Sequence, residues 1–395
     1  MNAMFVITLL VLLICLGAFV RLRRGMRKLK RLADIAPILD GTAPRVSIVF
    51  SALNEAGTIE PALRSLLALE YPNLEIIAID DRSTDATGEI LDRLSREHSA
   101  LRVVHIRELP AGWLGKTHAL QRGGEMASGD YLLFTDADVI FDRTALLRAV
   151  ACCERERLDH LVVLAKFIVR EHLLAMLLLN GMIALLLKFE PWKVRNSPKH
   201  FLGVGAFNMV RTASYRQAGG HAPLALEVVD DIGLGRMMKQ NGFVQDVLLG
   251  YGTVSVEWYR STREMVRGLE KNSFAMFDYQ FWKLVLATAI VLPLRYWPWI
   301  GLFVTQGVTW WMNLGALAIS LAMYDDLLRP TGWSRRCLVY WPFIGVISMA
   351  TIWRGVVLTL LRGGIDWRGT RYSLADLKRH HCQATAPGSK AASAA

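Results

Sequence analysis

Residues 3–20 (AMFVITLLVLLICLGAFV) run without a single charge, and RLRRGMRKLKR follows at once, with seven basic residues before the first acid at Asp34. At roughly 1.5 Å rise per residue, such a helix nearly crosses a hydrocarbon core of about 30 Å. A secretory signal carries its positive charge before the apolar run and a small-residue cleavage site after it; here the order is reversed. The positive-inside rule then places the N-terminus outside and the chain after Arg21 in the cytoplasm. A basic run can also serve nucleic acid, but beside a span contact with anionic lipid is the better account. The expected partner is therefore a membrane, and no nucleic acid. A composition of 53 % hydrophobic residues with 12 Trp excludes disorder and coiled coil. The five cysteines (Cys15, Cys152, Cys153, Cys337 and Cys382) lack ligand-like spacing, which argues against a disulfide framework and a zinc site and fits a reducing compartment.

The C-terminal third is apolar again. Residues 296–324 and 337–353 are uncharged, while the shorter run 284–294 is closed by Arg295. Either 284–324 is a hairpin of two spans, or 284–294 lies at the interface and one span follows. The loop 325–336 has three Arg against two Asp, whereas the tail after Leu361 has six basic residues against two acids. Placing the tail inside favours three crossings in total, with four as the alternative. HLLAMLLLNGMIALLLKF (172–189) resembles a span, yet a crossing there would separate two halves of one site. A buried or an in-plane interfacial helix is the expectation.

From Arg45 to about Asn272 strands alternate with helices: RVSIVFSA, LEIIAIDD, LRVVHI and YLLFTDADV are separated by helical segments. That pattern predicts an α/β domain with a largely parallel sheet, whose ligands bind at the carboxyl ends of the strands. Asn54-Glu55, Asp80-Asp81 and Asp136-Ala137-Asp138 stand at those ends. One carboxylate there is an ordinary turn residue or cap; three clusters on one sheet edge are harder to explain so. In an extended segment Asp136 and Asp138 point the same way, so they can share a divalent cation, Mg²⁺ or Mn²⁺, completed by phosphate oxygens and water. Ser83, Thr84 and Asp85 can cap the next helix, leaving Asp80 and Asp81 free for a base NH or a ribose hydroxyl. Lys116 supplies a cation near a loop-to-helix junction, suited to a diphosphate, or is a solvated surface lysine.

In this order and spacing, SALNEAGTI, IDDRSTDAT, GKTHAL with ASGDYLLFTDADV, GVGAFNMVRTASYRQAGGH and EVVDDIGLGRMMKQNG resemble the family-2 glycosyltransferases of the GT-A fold. PAGWLGKTHAL and GGIDWRGTRYSLADL further resemble a membrane-anchored bacterial branch that includes carotenoid- and hopanoid-associated glycosyltransferases. The resemblance implies a Rossmann-like mixed sheet and an inverting transfer from a nucleotide-diphospho-sugar. It places Asn54, Glu55, Asp81, Lys116 and Asp136 at the nucleotide, Asp136 and Asp138 on the metal, and Asp231 as the catalytic base. Asp230 beside it, Tyr259 and Arg260 become candidates for acceptor or diphosphate contact. On the residues alone, Asp230 and Asp231 also read as cap and first-turn charge of a helix, and Tyr259-Arg260 as part of an interfacial helix. The Gln-x-x-Arg-Trp motif of processive members is absent: Val256-Glu257-Trp258-Tyr259-Arg260-Ser261 stands in that region. Gly219-Gly220-His221 reads as a turn, with His221 a weak candidate for substrate contact.

The chain thus divides into an N-terminal span (1–22), a basic juxtamembrane linker (23–44), the GT-A domain (45–272), C-terminal transmembrane or interfacial helices (273–363) and a cytoplasmic tail (364–395) with a low-complexity, disordered end. The expected function is transfer of one sugar, from a UDP-sugar by family preference, to a lipid or isoprenoid hydroxyl at the cytoplasmic face of a bacterial inner membrane. A polysaccharide synthase and a non-catalytic binding module are the alternatives.

Overall fold

The computed structural model describes residues 2–38 and 41–385; the low-complexity end from residue 386 lies outside them. The chain forms two compact units. One comprises residues 1–28, 169–190 and 259–365, the other residues 29–168, 191–258 and 366–395.

The second unit is the expected α/β domain. Its strands are β1 (Val46–Ala52), β2 (Leu74–Asp81), β3 (Leu101–Ile106), β4 (Tyr131–Asp136), β5 (Val139–Phe141), β6 (His160–Leu164), β7 (Lys166–Phe167), β8 (Asn208–Arg211), β9 (Gln245–Leu249) and β10 (Val254–Val256). Seven of them form one sheet in the order β3-β2-β1-β4-β8-β6-β9. The first four are parallel, but β8 is antiparallel to both β4 and β6, so the sheet is mixed rather than largely parallel throughout. β5, β10 and β7 make a small second sheet. Because helices cover both faces, β1 is buried at every position. Alternate residues feed two cores: Ile48, Phe50 and Ile76 pack on one side, Val49, Ile77 and Ile79 on the other.

The helices of this unit that matter for the site are α1 (Ile59–Leu67), α2 (Thr87–Glu97), α3 (Gly115–Met126), α4 (Ala145–Glu156), α5 (Thr212–Gln217) and α6 (Asp230–Gln240). Two stretches expected to lie outside the domain are folded into it. In the presumed linker, Leu32 is fully buried and the Lys30 carbonyl accepts from the Leu249 amide. In the presumed tail, the hairpin β11 (Gly364–Trp367) and β12 (Thr370–Ser373) leads into α7 (Leu374–Thr385).

The first unit is helical. Among the described residues, four helical segments are long and apolar enough to cross a membrane: Ala3–Met26, His172–Asn196, Phe281–Val304 and Ile344–Arg362. The run 284–294 is not a separate interfacial piece. It is the first half of the helix Phe281–Val304, which continues through Pro293, Arg295 and Pro298. A second helix, Gly307–Leu328, follows after a break at Thr305 and Gln306, both extended. The helix boundaries are thus those of the two-helix hairpin. Hydropathy is blind to this break because both flanks are apolar. Arg295 lies inside this unit, donating to the Tyr324 hydroxyl at 2.9 Å and the Trp341 carbonyl at 2.9 Å.

Candidate active site

Strand register builds the site. Ala52 pairs with Asp80, and Ser51 with Asp136, so β2, β1 and β4 end side by side and deliver their polar clusters to one edge. Asn54, with a positive φ of 56°, turns the chain after β1. Its Oδ1 accepts from the Thr84 amide at 2.8 Å, and its amide donates to Ser83 Oγ at 3.1 Å. Asp85 accepts from the Ala56 amide at 3.1 Å and the Thr87 amide at 3.0 Å. Ser83 and Thr84 therefore tie two loops together instead of capping α2, while Asp85 does both.

Asp80 and Asp81 are not free acceptors. Asp80 accepts from the Ser83 amide and meets His105 Nδ1 at 2.8 Å. Asp81 is fully buried and holds the Arg82 guanidinium through contacts of 2.8 and 3.1 Å. Two adjacent carboxylates at a buried strand end need compensation, and the nearest cations supply it.

Lys116, at the start of α3, is not a solvated surface lysine. Its Nζ lies 2.8 Å from Asp136 Oδ1 and 3.5 Å from Asp230 Oδ2, with its side chain 15 % exposed. The Thr117 hydroxyl, on the Ala225 carbonyl at 2.7 Å, fixes this end of α3 against the segment that leads into α6. Asp136 closes β4, but residues 137 and 138 form a turn, so strand alternation does not align Asp136 with Asp138. Their proximity arises from that turn. Burial, then the charges of Asp136 and Glu55, push the Asp138 carboxyl up to about 7. A cation relieves that repulsion, and the donor set fits one bound by two carboxylates with phosphate oxygens and water. Among the described residues no group of three or more His, Cys, Asp or Glu is arranged to hold a metal by protein ligands alone.

Asp231 lies in the first turn of α6. Its Oδ1 accepts from the Ile232 amide and its Oδ2 from the Gly205 amide, each at 2.8 Å. Asp230 is buried and pairs with Lys116. Burial, then Asp230, push the Asp231 carboxyl up to about 7 against the opposing pull of Lys116. Polar side chains from the sheet hold this corner: Asn208 donates to the Asp231 carbonyl, and Gln245 to the Leu202 carbonyl at 2.7 Å. Between these two side chains sits His160, whose burial drives its pKa down to about 4 and keeps the ring neutral.

The remaining candidates have other partners. Glu55 pairs with Arg368 at 3.3 Å. Tyr259 and Arg260 belong to the helical unit, where Tyr259 is buried against Gly268 and the Arg260 amide donates to Glu264 at 2.9 Å. His221 is a core residue, bonded to the Tyr215 hydroxyl and edge-on to Phe134. Two sets of contributors escaped the sequence reading. Gly205 links the acids, since its amide serves Asp231 and a Cβ placed on it would lie 2.3 Å from Asp136 Oδ2. Arg368, Thr370 and Tyr372 arrive from the C-terminal hairpin, whose only sequence signal was the motif GGIDWRGTRYSLADL.

A sequence model of glycosyl transferase family 2 matches residues 47–216, which hold Asp136, Asp138, Lys116 and Gly205. The match stops short of α6, which carries Asp230 and Asp231. Relatives of the chain include a beta-monoglucosyldiacylglycerol synthase of Nostoc sp., 36 % identical over 30 % of this chain and 25 % of that protein. A poly-beta-1,6-N-acetyl-D-glucosamine synthase of Staphylococcus epidermidis is 37 % identical over 25 % of this chain and 23 % of that one. The chain thus spans about a quarter of the length of these curated relatives. A mannosyltransferase of Pyrobaculum calidifontis, solved with GDP-Man and Mn²⁺, superimposes with a TM-score of 0.54 at 19 % identity, covering 91 % of this chain and 99 % of that one. The likeness is one of fold, and it is the expected GT-A architecture.

Proposed function

We propose that this chain is an inverting glycosyltransferase that moves one sugar from a nucleotide-diphospho-sugar, first of all a UDP-sugar, to a hydroxyl of a membrane lipid or isoprenoid. The observation that carries the reading is the cluster of Asp136, Lys116, Asp230 and Asp231, bridged by Gly205. In the proposed reaction the acceptor oxygen attacks the anomeric carbon while the bond from that carbon to the phosphate oxygen breaks. Asp231 takes the acceptor proton, and the nucleoside diphosphate leaves with the electron pair. A carboxylate raised to about 7 suits a general base at neutral pH. Asp136 and Asp138 would hold a divalent cation, which supplies charge neutralisation to the leaving diphosphate when bound. Lys116 pairs with Asp136 and Asp230 and holds them in place.

The apolar helices and the similarity to a glucosyldiacylglycerol synthase support a lipid acceptor and a multi-pass place in a bacterial inner membrane with the α/β unit on the cytoplasmic side. The similarity to a polysaccharide synthase supports the alternative of a growing glycan, against which the missing Gln-x-x-Arg-Trp motif weighs. The test is calorimetric titration of UDP, GDP, CDP and dTDP with Mn²⁺ into purified protein and into Asp136→Ala. One diphosphate is expected to bind, with metal dependence, and to lose that binding in the variant. Folded protein that binds none of the four overturns the reading. Time courses with the matching sugar nucleotide and lipid extract then separate a single addition from a lengthening product.

A further inference from the structure

The C-terminal hairpin meets the predicted donor loops along one edge. Thr370 and Tyr372 alternate along β12, which places their side chains on one side, and Arg368 stands in the turn that leads into it. The Arg368 guanidinium reaches Glu55 after β1 at 3.3 Å. Thr370 Oγ1 accepts from Arg82 after β2 at 3.4 Å, and the Tyr372 hydroxyl accepts from the buried Gly115 amide, next to Lys116, at 3.3 Å. Three separate loops that the strand ends devote to the nucleotide thus share one wall.

We infer that this hairpin forms part of the donor site and that Arg368 is a donor-binding residue whose guanidinium engages the diphosphate. The inference rests on the reading given under Proposed function.

Charge carries it first. Glu55, Asp136, Asp138, Asp230 and Asp231 crowd an edge that must accept an anionic diphosphate. Lys116 is committed to Asp136 and Asp230, and Arg82 to Asp81. Arg368 is differently placed. Its pair with Glu55 leaves the two side chains 30 % and 28 % exposed, and Glu55 is close enough to Asp138 to raise its pKa. A partly exposed single contact of this kind is weak, whereas a guanidinium fork on phosphate oxygens is charge-assisted and bidentate. Exchange of one partner for the other is therefore downhill.

Backbone conformation points the same way. Arg368 and Gly369 have φ of 51° and 77°, as a two-residue turn between these strands requires. Asn, Asp or Gly is at ease at the first of those positions, and an arginine carries strain there. The side chain is thus held where it costs stability, next to a candidate metal site.

The turn also supplies the test. Arg368→Asn keeps a residue that favours the left-handed conformation and removes the charge. Calorimetry with UDP and with GDP, each with Mn²⁺, is compared with UMP and GMP, alongside thermal melting. The expected result is a Kd for the bound diphosphate weaker by about ten-fold or more. The monophosphate should change far less, the Tm should be equal or higher, and Arg368→Lys should fall between. Diphosphate affinity unchanged in Arg368→Asn, while Asp136→Ala loses it, overturns this inference alone. Equal losses for mono- and diphosphate with a lower Tm also overturn it, leaving the hairpin a packing element. Folded wild-type protein that binds no diphosphate refutes the parent reading and this one together.

Discussion

Gly205 is the residue where the geometry makes its sharpest demand. Its amide donates to Asp231 at 2.8 Å, and a Cβ added to it would stand 2.3 Å from Asp136 Oδ2. Ordinary van der Waals contact lies at roughly 3.5 Å, so in Gly205→Ala the Asp136 carboxylate has to retreat by about 1 Å. A bound metal tolerates ligand displacements of only about 0.2 Å, so this retreat would take Asp136 away from the proposed cation without removing its charge. The clash falls on a side chain that can rotate, and the fold should survive with a loss near the low end of the roughly 1–3 kcal/mol usual for overpacking. Gly203 provides the contrast: its added Cβ would lie 1.7 Å from the Asp231 backbone carbonyl, which cannot rotate away. Gly203→Ala should cost the upper end of that range or more, at about 2–4 °C of Tm per kcal/mol for a unit of this size. Melting curves and titration of the diphosphate that binds wild type, with and without Mn²⁺, separate the two. Gly205→Ala is expected to melt close to wild type and to weaken metal-dependent binding by about ten-fold or more. Wild-type affinity in Gly205→Ala would refute the assignment of Asp136, in its observed position, to the metal.

Two other changes test neighbouring parts of the argument. Asp231→Asn should lower kcat by about 10²–10⁴-fold while leaving donor KM little changed, because a general base acts on the acceptor proton rather than on donor binding; a variant with wild-type kcat removes Asp231 from that role. His105 bridges Asp80 and Asp92, which raise its pKa in that order, so its folded value lies above the unfolded value of about 6.5. That contribution is complete below the unfolded pKa and disappears as pH rises through the folded one. The Tm difference between wild type and His105→Gln should accordingly shrink from pH 5.5 to pH 8.5, and a difference that grows over this range contradicts the pairing.

What the sequence decided by itself is local in origin. Strand periodicity and the rule that parallel strands present their carboxyl ends to ligands were enough to put Asn54-Glu55, Asp80-Asp81 and Asp136 on one edge, and β2, β1 and β4 do end together there. The same logic misread Asp138, because a strand that ends at Asp136 no longer alternates. Hydropathy found the apolar runs but not the break at Thr305 and Gln306, which takes its shape from backbone conformation rather than composition. Tertiary structure alone decided the partners. That Lys116 sits between Asp136 and Asp230, that Gly205 spans the gap to Asp231, and that Arg368 returns from more than 300 residues away to Glu55 are long-range juxtapositions. A chain read one segment at a time carries propensities for each segment. Which charges end up facing each other is set only when the sheet, its flanking helices and the returning hairpin are packed together.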